Sequence, residues 1–502
     1  MKKIVLIILL IRNAMVVLSQ NDTVSYFKQT YIIDTIGTFN GGAVELDKSY
    51  VIVTNELYLD NKREVILRSI DKHTGTTINA KSLGTNEIGE YVCFTDKEVL
   101  KDGESIVVSL IKCYEYDGTN CMKKIKVIET DGEGEILWEK EYGADGESVQ
   151  SRQLSKTSDG GYIIGGTHFA YGEGTDPYLL KLDSIGNVEW ERVYPTEVIG
   201  AALYVYPTYD GGYIFSGYRG KGNPFAPYYK PYITRIDSIG NVLWDKVYYT
   251  EFNNINSGGF VVPYPNSQEY LFFSYIGALT GAYLVVSKMD DTGNILWEKE
   301  YPFTPVTTDF HTPPQFTSDG GFVIGGHQYN ENSKTVVKLF RFTAEGDTLW
   351  TKDYDIEPSE RQYIRGLLST SDGGYLLTGL SFDKGYAWEV KIDSLGNTCW
   401  QTGCDSTYVE IVGLEEPSGL AEVSAVLVSP NPAQDELRVN IEGKTLNYWE
   451  IYNLEGRKLS SYTAAVTDIS HLVSGVYIVK VYDTEGKEYI GKNINNELKE
   501  IS

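Results

Sequence analysis

Short apolar runs rich in Tyr, Ile, Val and Leu alternate along this chain with breaks made of Gly, Asp, Asn and Ser. Tyr162-Ile163-Ile164, Tyr178-Leu179-Leu180 and Tyr213-Ile214-Phe215 are examples, each set between turn-forming residues. Brief β-branched and aromatic runs between such residues predict strands. Asp159-Gly160-Gly161 supplies the positive backbone angles of a tight hairpin. Asp183-Ser184-Ile185-Gly186-Asn187 predicts a type I turn closed by a left-handed glycine, with the aspartate side chain bonded to its own backbone.

The runs join into a phrase that repeats. It opens on Asp-Gly-Gly and an aromatic, passes through Asp-x-x-Gly and closes on tryptophan. Trp138, Trp190, Trp244, Trp297, Trp350 and Trp400 stand 52, 54, 53, 53 and 50 residues apart. The opening returns at Asp210-Gly211-Gly212, Asp319-Gly320-Gly321 and Asp372-Gly373-Gly374, and in eroded form at Gln268-Glu269, Asp102-Gly103 and Asp47-Lys48. That makes seven units, each a four-stranded antiparallel meander with strands A, B, C and D in order. A lone four-stranded sheet cannot bury both faces, and a ring of them can. The pattern therefore predicts an all-β fold, a seven-bladed β-propeller over residues 24–407. An open solenoid would need polar capping repeats, and none is visible.

Phe27 and Tyr31 repeat the Trp-x-x-x-Tyr spacing of Trp138/Tyr142, Trp297/Tyr301 and Trp350/Tyr354. Trp400 lacks such a tyrosine. Residues 25–33 are thus expected to serve as the missing D strand of the last blade, pairing near residues 386–393 and closing the ring.

The remaining signals concern destination. Lys2-Lys3 followed by the apolar run Ile4–Ile11 predicts a signal peptide over residues 1–19. No segment is long and apolar enough for a permanent span. The net charge of −25 argues against nucleic acid or anionic membrane as partners. Five cysteines suit an oxidising compartment, with Cys113/Cys121 and Cys399/Cys404 as the candidate disulfides. No tandem Cys-x-x-Cys spacing occurs, so no metal is expected.

Past Cys404 the tryptophan beat stops. Residues 408–423 form an acidic linker containing Glu415-Glu416-Pro417, and short alternating strands then predict a small Ig-like β-sandwich over 424–495. Three pieces stand out there: Pro430-Asn431-Pro432-Ala433, Ile451-Tyr452 leading to Gly456-Arg457, and Gly475-Val476-Tyr477-Ile478-Val479. In this order they resemble the type A C-terminal sorting domain of the type IX secretion system of Bacteroidota. The resemblance implies Sec export, engagement of the type IX machinery and removal of the domain. It places the cargo outside the cell or on the outer surface of a Gram-negative bacterium.

The search for chemistry is less productive. The Asp-x-x-Gly-x-x-x-Trp phrase resembles the tryptophan-docking repeats of quinone-dependent dehydrogenases and outer-membrane assembly propellers. Those enzymes use eight blades and adjacent cysteines, so no cofactor is expected here. His168 and His327 follow the B-strand glycines in what look like equivalent places. Carboxylate pairs such as Asp290-Asp291 fall in turns, and no hydrolase or phosphate-binding motif occurs.

In an up-and-down meander the A–B and C–D turns share one end, and the idiosyncratic B–C and D–A loops share the other. Variable loops on a rigid scaffold are where binding residues concentrate. Tyr171, Phe225, Tyr228, Tyr229, Phe310, Tyr329, Tyr386 and Trp388 are the candidates for gripping an unknown glycan or protein ligand. The alternative is a carbohydrate-active hydrolase or lyase with two carboxylates in the central pit.

Overall fold

The computed structural model describes residues 27–33, 35–58, 63–73, 75–85, 98–116, 121–170, 174–196, 199–221, 228–248, 259–278, 281–303, 312–329, 335–356, 361–381, 385–398, 407–412, 426–429, 436–441, 445–452, 458–472, 478–484 and 488–490. All regular structure among them is strand. The chain divides at Val409/Glu410 into two compact units.

The larger unit is a succession of four-stranded meanders. The first sheet holds β2 (Thr35–Glu45), β3 (Ser49–Tyr58), β4 (Arg63–Asp71) and β5 (Thr77–Thr85). The second holds β6 (Glu98–Asp102), β7 (Ser105–Tyr116), β8 (Cys121–Thr130) and β9 (Ile136–Tyr142). The third holds β10 (Ser148–Lys156), β11 (Tyr162–Ala170), β12 (Gly174–Leu182) and β13 (Val188–Val193). The fourth holds β14 (Ile199–Pro207), β15 (Tyr213–Lys221), β16 (Tyr228–Ile236) and β17 (Val242–Val247), joined to the third by one parallel pairing, Thr175 with Ile199. The fifth holds β18 (Gly259–Pro263), β19 (Tyr270–Ala278), β20 (Gly281–Met289) and β21 (Ile295–Phe303). The sixth holds β22 (Gln315–Phe316), β23 (Phe322–Tyr329), β24 (Thr335–Phe342) and β25 (Thr348–Tyr354).

The seventh sheet takes three strands from the end of the array, β26 (Gln362–Ser369), β27 (Tyr375–Ser381) and β28 (Tyr386–Ile392). Its next strand is β1 (Phe27–Ile33), from the beginning of the chain. β1 runs antiparallel to β28 with Phe27 opposite Lys391 and Tyr31 opposite Ala387. In four other sheets the residue opposite the corresponding cation is the tryptophan: Trp190 faces Lys181, Trp244 faces Arg235, Trp297 faces Lys288 and Trp350 faces Arg341. Phe27 therefore occupies the tryptophan's place in the ladder, as the spacing predicts.

Apolar layers join each sheet to the next, because every strand buries alternate residues on opposite faces. Val53 and Leu67 pack with Val108 and Ile128, Val127 with Leu180, and Leu179 with Phe215. Ile214 packs with Phe272, Val286 with Phe340, and Leu339 with Val390. Leu376 of the seventh sheet then meets Tyr50, Ile52 and Ile70 of the first. The cores return to their start, so the array is a closed, propeller-like ring. The A strands of neighbouring sheets touch one another and surround its axis. They are stitched by polar side chains as well: the Val205 amide donates to Gln153 Oε1 over 3.0 Å, and Ser155 Oγ donates to the Val205 carbonyl over 2.8 Å.

The start of the stretch expected as a linker is a strand, β29 (Thr407–Val412). In the smaller unit, β30 (Val426–Ser429), β31 (Glu436–Ile441) and β34 (Val466–Asp468) form one sheet. A second contains β33 (Lys458–Tyr462), β32 (Leu446–Tyr452), β35 (Ile478–Asp483) and β36 (Glu488–Ile490). Leu437 and Val439 from the first share one core with Trp449, Ile451, Val479 and Val481 from the second.

Candidate functional site

The two ends of the ring differ in what their polar groups do. At the end carrying the A–B and C–D turns, those groups are consumed by the scaffold. Asp183 Oδ1 accepts the amides of Ile185 and Asn187 over 3.0 and 2.7 Å, and Gly186 takes a left-handed φ of 77°. Tyr142 of the preceding sheet donates its hydroxyl to the Gly186 carbonyl over 2.6 Å. A side chain on Gly186 would put its Cβ 2.7 Å from the Trp138 ring. That glycine thus serves both the turn and the close approach of its neighbour.

The same latch recurs around the ring. Tyr194 reaches the Gly240 carbonyl over 2.9 Å, Tyr248 reaches Gly293 over 3.0 Å and Tyr354 reaches Gly396 over 2.8 Å. Tyr301 donates to Gly346, and burial lifts its hydroxyl to about 12, which keeps it a donor in neutral solution. The tryptophan assists in places: Trp190 and Trp244 donate to the carbonyls of Ser238 and Asp291 over 3.1 and 2.9 Å.

A second device binds each Asp-Gly-Gly turn to the C strand of its own sheet. Lys181, Lys391 and Arg341 are almost fully buried, and they pair with Asp159, Asp372 and Asp319 over 2.9, 2.9 and 2.6 Å. Arg235 pairs likewise with Asp210. Burial pushes the Asp159 carboxyl up, but the Thr157 hydroxyl, Lys181 and the Gly161 amide outweigh it and hold the group at about 2. At Asp319 the Thr317 hydroxyl leads, and with Arg341 it again brings the carboxyl to about 2. Only the first glycine of this turn has the positive angle expected of it, Gly160 with φ of 85°. The second, Gly161, is needed for space, since a side chain there would strike the Leu182 carbonyl.

At the opposite end the structure places part of what the sequence marks. Tyr228 and Tyr229 begin β16 opposite Lys221 and Gly220, Tyr329 ends β23 opposite Thr335, and Tyr386 begins β28 opposite Ser381. All four stand where B and C strands meet their loop. Tyr171, Phe225 and Phe310 lie outside the described residues. Trp388 is a correction. It is fully buried in the core between the sixth and seventh sheets. Gly379, directly opposite in the ladder, leaves the room its indole fills. Its indole is part of that core's packing.

Cys113 stands opposite Lys123 and Cys121 opposite Tyr116, so the backbone register does not set these cysteines directly across from each other. Cys399, Cys404 and the sorting-motif residues Pro430, Asn431, Pro432, Gly456, Gly475 and Tyr477 lie outside the described residues. His168 and His327 are not equivalent: counted from Tyr162 and Phe322 they differ by one ladder position, which turns them to opposite faces. His327 is buried edge-on against Tyr363, ring centres 4.5 Å apart.

One feature escaped the sequence reading. β10, β14, β26 and β2 carry bulges at corresponding places, leaving Arg152, Leu203, Arg365 and the pair Gly41-Gly42 outside the ladder. Bulges re-aim side chains and often border sites. No local signal announces them, because one extra residue in a strand does not change its apolar pattern.

The carboxylates on the innermost strands are Glu45, Glu98 and Asp102. Two have structural work: Glu45 accepts Lys72 Nζ over 2.7 Å and Ser371 Oγ over 2.6 Å, and Asp102 accepts the Tyr162 hydroxyl over 2.7 Å. Among the described residues no cluster of His, Cys, Asp or Glu could hold a metal, and no helix is long and apolar enough to cross a membrane.

No curated protein matches the chain in sequence. A Dyadobacter fermentans protein of unknown function has 11% identity over 61% of this chain and 99% of its own, with a TM-score of 0.43. The parainfluenza virus 5 hemagglutinin-neuraminidase has 10% identity over 60% and 90%, with a TM-score of 0.37. A xylan beta-1,4-xylosidase from Bacillus halodurans has 11% identity over 76% and 94%, with a TM-score of 0.30. These scores assign neither an activity nor a ligand. The family model for the secretion system C-terminal sorting domain matches residues 427–496, which takes in all six sorting-motif positions. The chain is thus a propeller-like β-protein carrying a type IX secretion sorting domain, which directs it to the cell surface or the medium.

Proposed function

We propose that this chain is a non-catalytic binding protein, a seven-bladed propeller that holds a glycan or protein ligand at the end formed by its B–C and D–A loops. The observation that supports it most is the contrast between the two ends. One end spends its aspartates, tyrosines and tryptophans on its own turns. The other gathers Tyr228, Tyr229, Tyr329 and Tyr386 at strand ends that open into loops of unlike sequence. A carbohydrate-active hydrolase needs two free carboxylates near the axis, and Glu45 and Asp102 are engaged in structural bonds. In this reading residues 1–19 are a signal peptide cleaved on export, the C-terminal sandwich is Ig-like, and it is removed at the type IX translocon.

The test is a glycan and protein array probed with the full chain and with a variant carrying Tyr228→Ala, Tyr229→Ala, Tyr329→Ala and Tyr386→Ala. Binding lost in the variant, with arrayed glycans left intact, supports the reading. Release of reducing sugar from a bound glycan selects the hydrolase instead. Binding that survives in the variant removes these tyrosines from the ligand site.

A further inference from the structure

The six seams within the array and the one that closes it are built from the same two ladder positions, one on each facing C strand. On the leading face these positions hold Leu67, Val127, Leu179, Ile233, Val286 and Leu339 in the first six sheets, and Glu389 in the seventh. On the receiving face they hold Ile128, Leu180, Thr234, Ser287, Phe340 and Val390 in sheets two to seven, and Arg68 in the first. Every seam but one therefore meets through neutral side chains. Only the closing seam has a carboxylate at one of these two positions and a guanidinium at the other.

Both charges are enclosed. Arg68 is 1% exposed and Glu389 is 0% exposed. Arg68 also binds Glu56, itself buried, over 2.9 Å. Arg68 stands opposite Ile52, which packs against Leu376 of the seventh sheet. Glu389 stands opposite Thr378, whose hydroxyl donates to the Gly41 carbonyl of the first sheet over 2.6 Å. Each charge thus lies on the face turned toward the other's sheet.

We propose that Arg68, Glu56 and Glu389 form a closure lock that selects the chain's own first and seventh sheets as partners. Neighbouring sheets within the array are tethered by short connections, so their pairing is intramolecular and needs no further selection. The first and seventh sheets are joined only through the whole ring. Apolar seams are non-directional, and head-to-tail seams that fail to close produce open assemblies of many copies. A seventh sheet set against any receiving face but the first would bury Glu389 against a neutral side chain. A first sheet set against any other leading face would do the same to Arg68. Buried ion pairs serve specificity better than stability, and this one stands where the chain has a choice of partner.

The test refolds the full chain from denaturant at several concentrations and reads mass by sedimentation. Wild type is expected to return as monomer throughout. Arg68→Glu with Glu56→Arg reverses the first sheet alone, and Glu389→Arg reverses the seventh alone. Each is expected to shift toward dimers and larger species that increase with concentration. Combining all three substitutions restores the matched signs and is expected to restore the monomer. A combined variant no better than the worse half overturns the lock, as does a wild type that oligomerises to the same extent as the half-reversed chains. Should the half-reversed chains fail to fold, a combined variant that folds as wild-type monomer carries the proposal, and one that also fails sinks it.

Discussion

The first sheet and the later ones solve the same problem at the outer rim with different residues. From the second sheet to the sixth, a tyrosine four residues after the tryptophan bonds the glycine of the next sheet's C–D turn. The first sheet has Asn79 opposite Ser69, the tryptophan's ladder position, with Lys81 and Leu83 following at the same spacing. Asn79 Nδ2 donates to the Glu133 carbonyl over 2.7 Å, Lys81 pairs with Glu135, and Leu83 joins the core. The receiving turn is unchanged: Asp131 Oδ1 accepts the Glu133 and Glu135 amides, both over 2.9 Å, and Gly134 has a φ of 88°. The difference teaches that the turn is the constant half of the latch. Its shape is fixed by a side-chain oxygen of Asp or Thr and by its glycine, so the knob residue that docks on it can vary between indole and amide.

The largest effect should come from removing β1. A chain lacking residues 20–33 loses the fourth strand of the seventh sheet. The expected outcome is a split thermal transition in calorimetry, with hydrogen exchange faster in β28 and β27 than anywhere in the third to fifth sheets. A single transition at the wild-type temperature would show that the ring does not depend on this strand.

The next effect separates turn from knob. Gly293→Ala forces a side chain into a left-handed position and to within 2.9 Å of the Trp244 ring, so it should cost about 1–3 kcal/mol. Tyr248→Phe removes one hydroxyl donor from the same latch and should cost about 1 kcal/mol. Urea unfolding measures both, and a reversed order would make the knob the constant half. Asn79→Ala with Lys81→Ala, on the exposed rim of the first sheet, should leave the midpoint nearly unmoved.

Acid sharpens the comparison from another side. The first sheet has Ser69 where the third, fourth, sixth and seventh carry a buried cation, so it lacks the clamp on its A–B turn. Asp159 and Asp319 titrate at about 2 when folded, against about 3.9 in an unfolded chain. A depressed carboxyl stabilises the fold above the unfolded value and loses that contribution as pH falls from about 4 toward 2. Asp159→Asn with Asp319→Asn should flatten the fall of the urea midpoint over this range. Exchange in the third and sixth sheets should rise more steeply with acid than in the first.

The scaffold was legible because each of its parts leaves a local trace. Turn residues mark strand ends, and the repeated spacing of Trp and Tyr locates both the rim latch and β1. The buried cations of the clamp were visible too, two residues before the C–D turn at Lys181, Arg235, Arg341 and Lys391, but a charged residue in a strand reads as solvent-facing until its partner is placed. Trp388 was misread for the converse reason. An aromatic beside a loop looks available, and only the ladder shows that Gly379 makes a slot for it. The arginine bulges and the closure lock stayed hidden because they depend on counting register between strands far apart in sequence. The ligand end was least legible, since its loops share no pattern with one another.

The pairing of Phe27 with Lys391 has a consequence in time. β1 is synthesised before every other strand of the array, and its partner is nearly the last part of it. Closing so long a span costs little more free energy than closing a short one, because the loop penalty grows only with the logarithm of length. It does cost waiting, since contacts distant in sequence form late. Until the two meet, β1 is an unmatched strand and the seventh sheet lacks the strand beside β28. The sorting domain lies beyond β28 in the sequence. By the time the signal for the outer membrane exists, everything the ring requires has already been made.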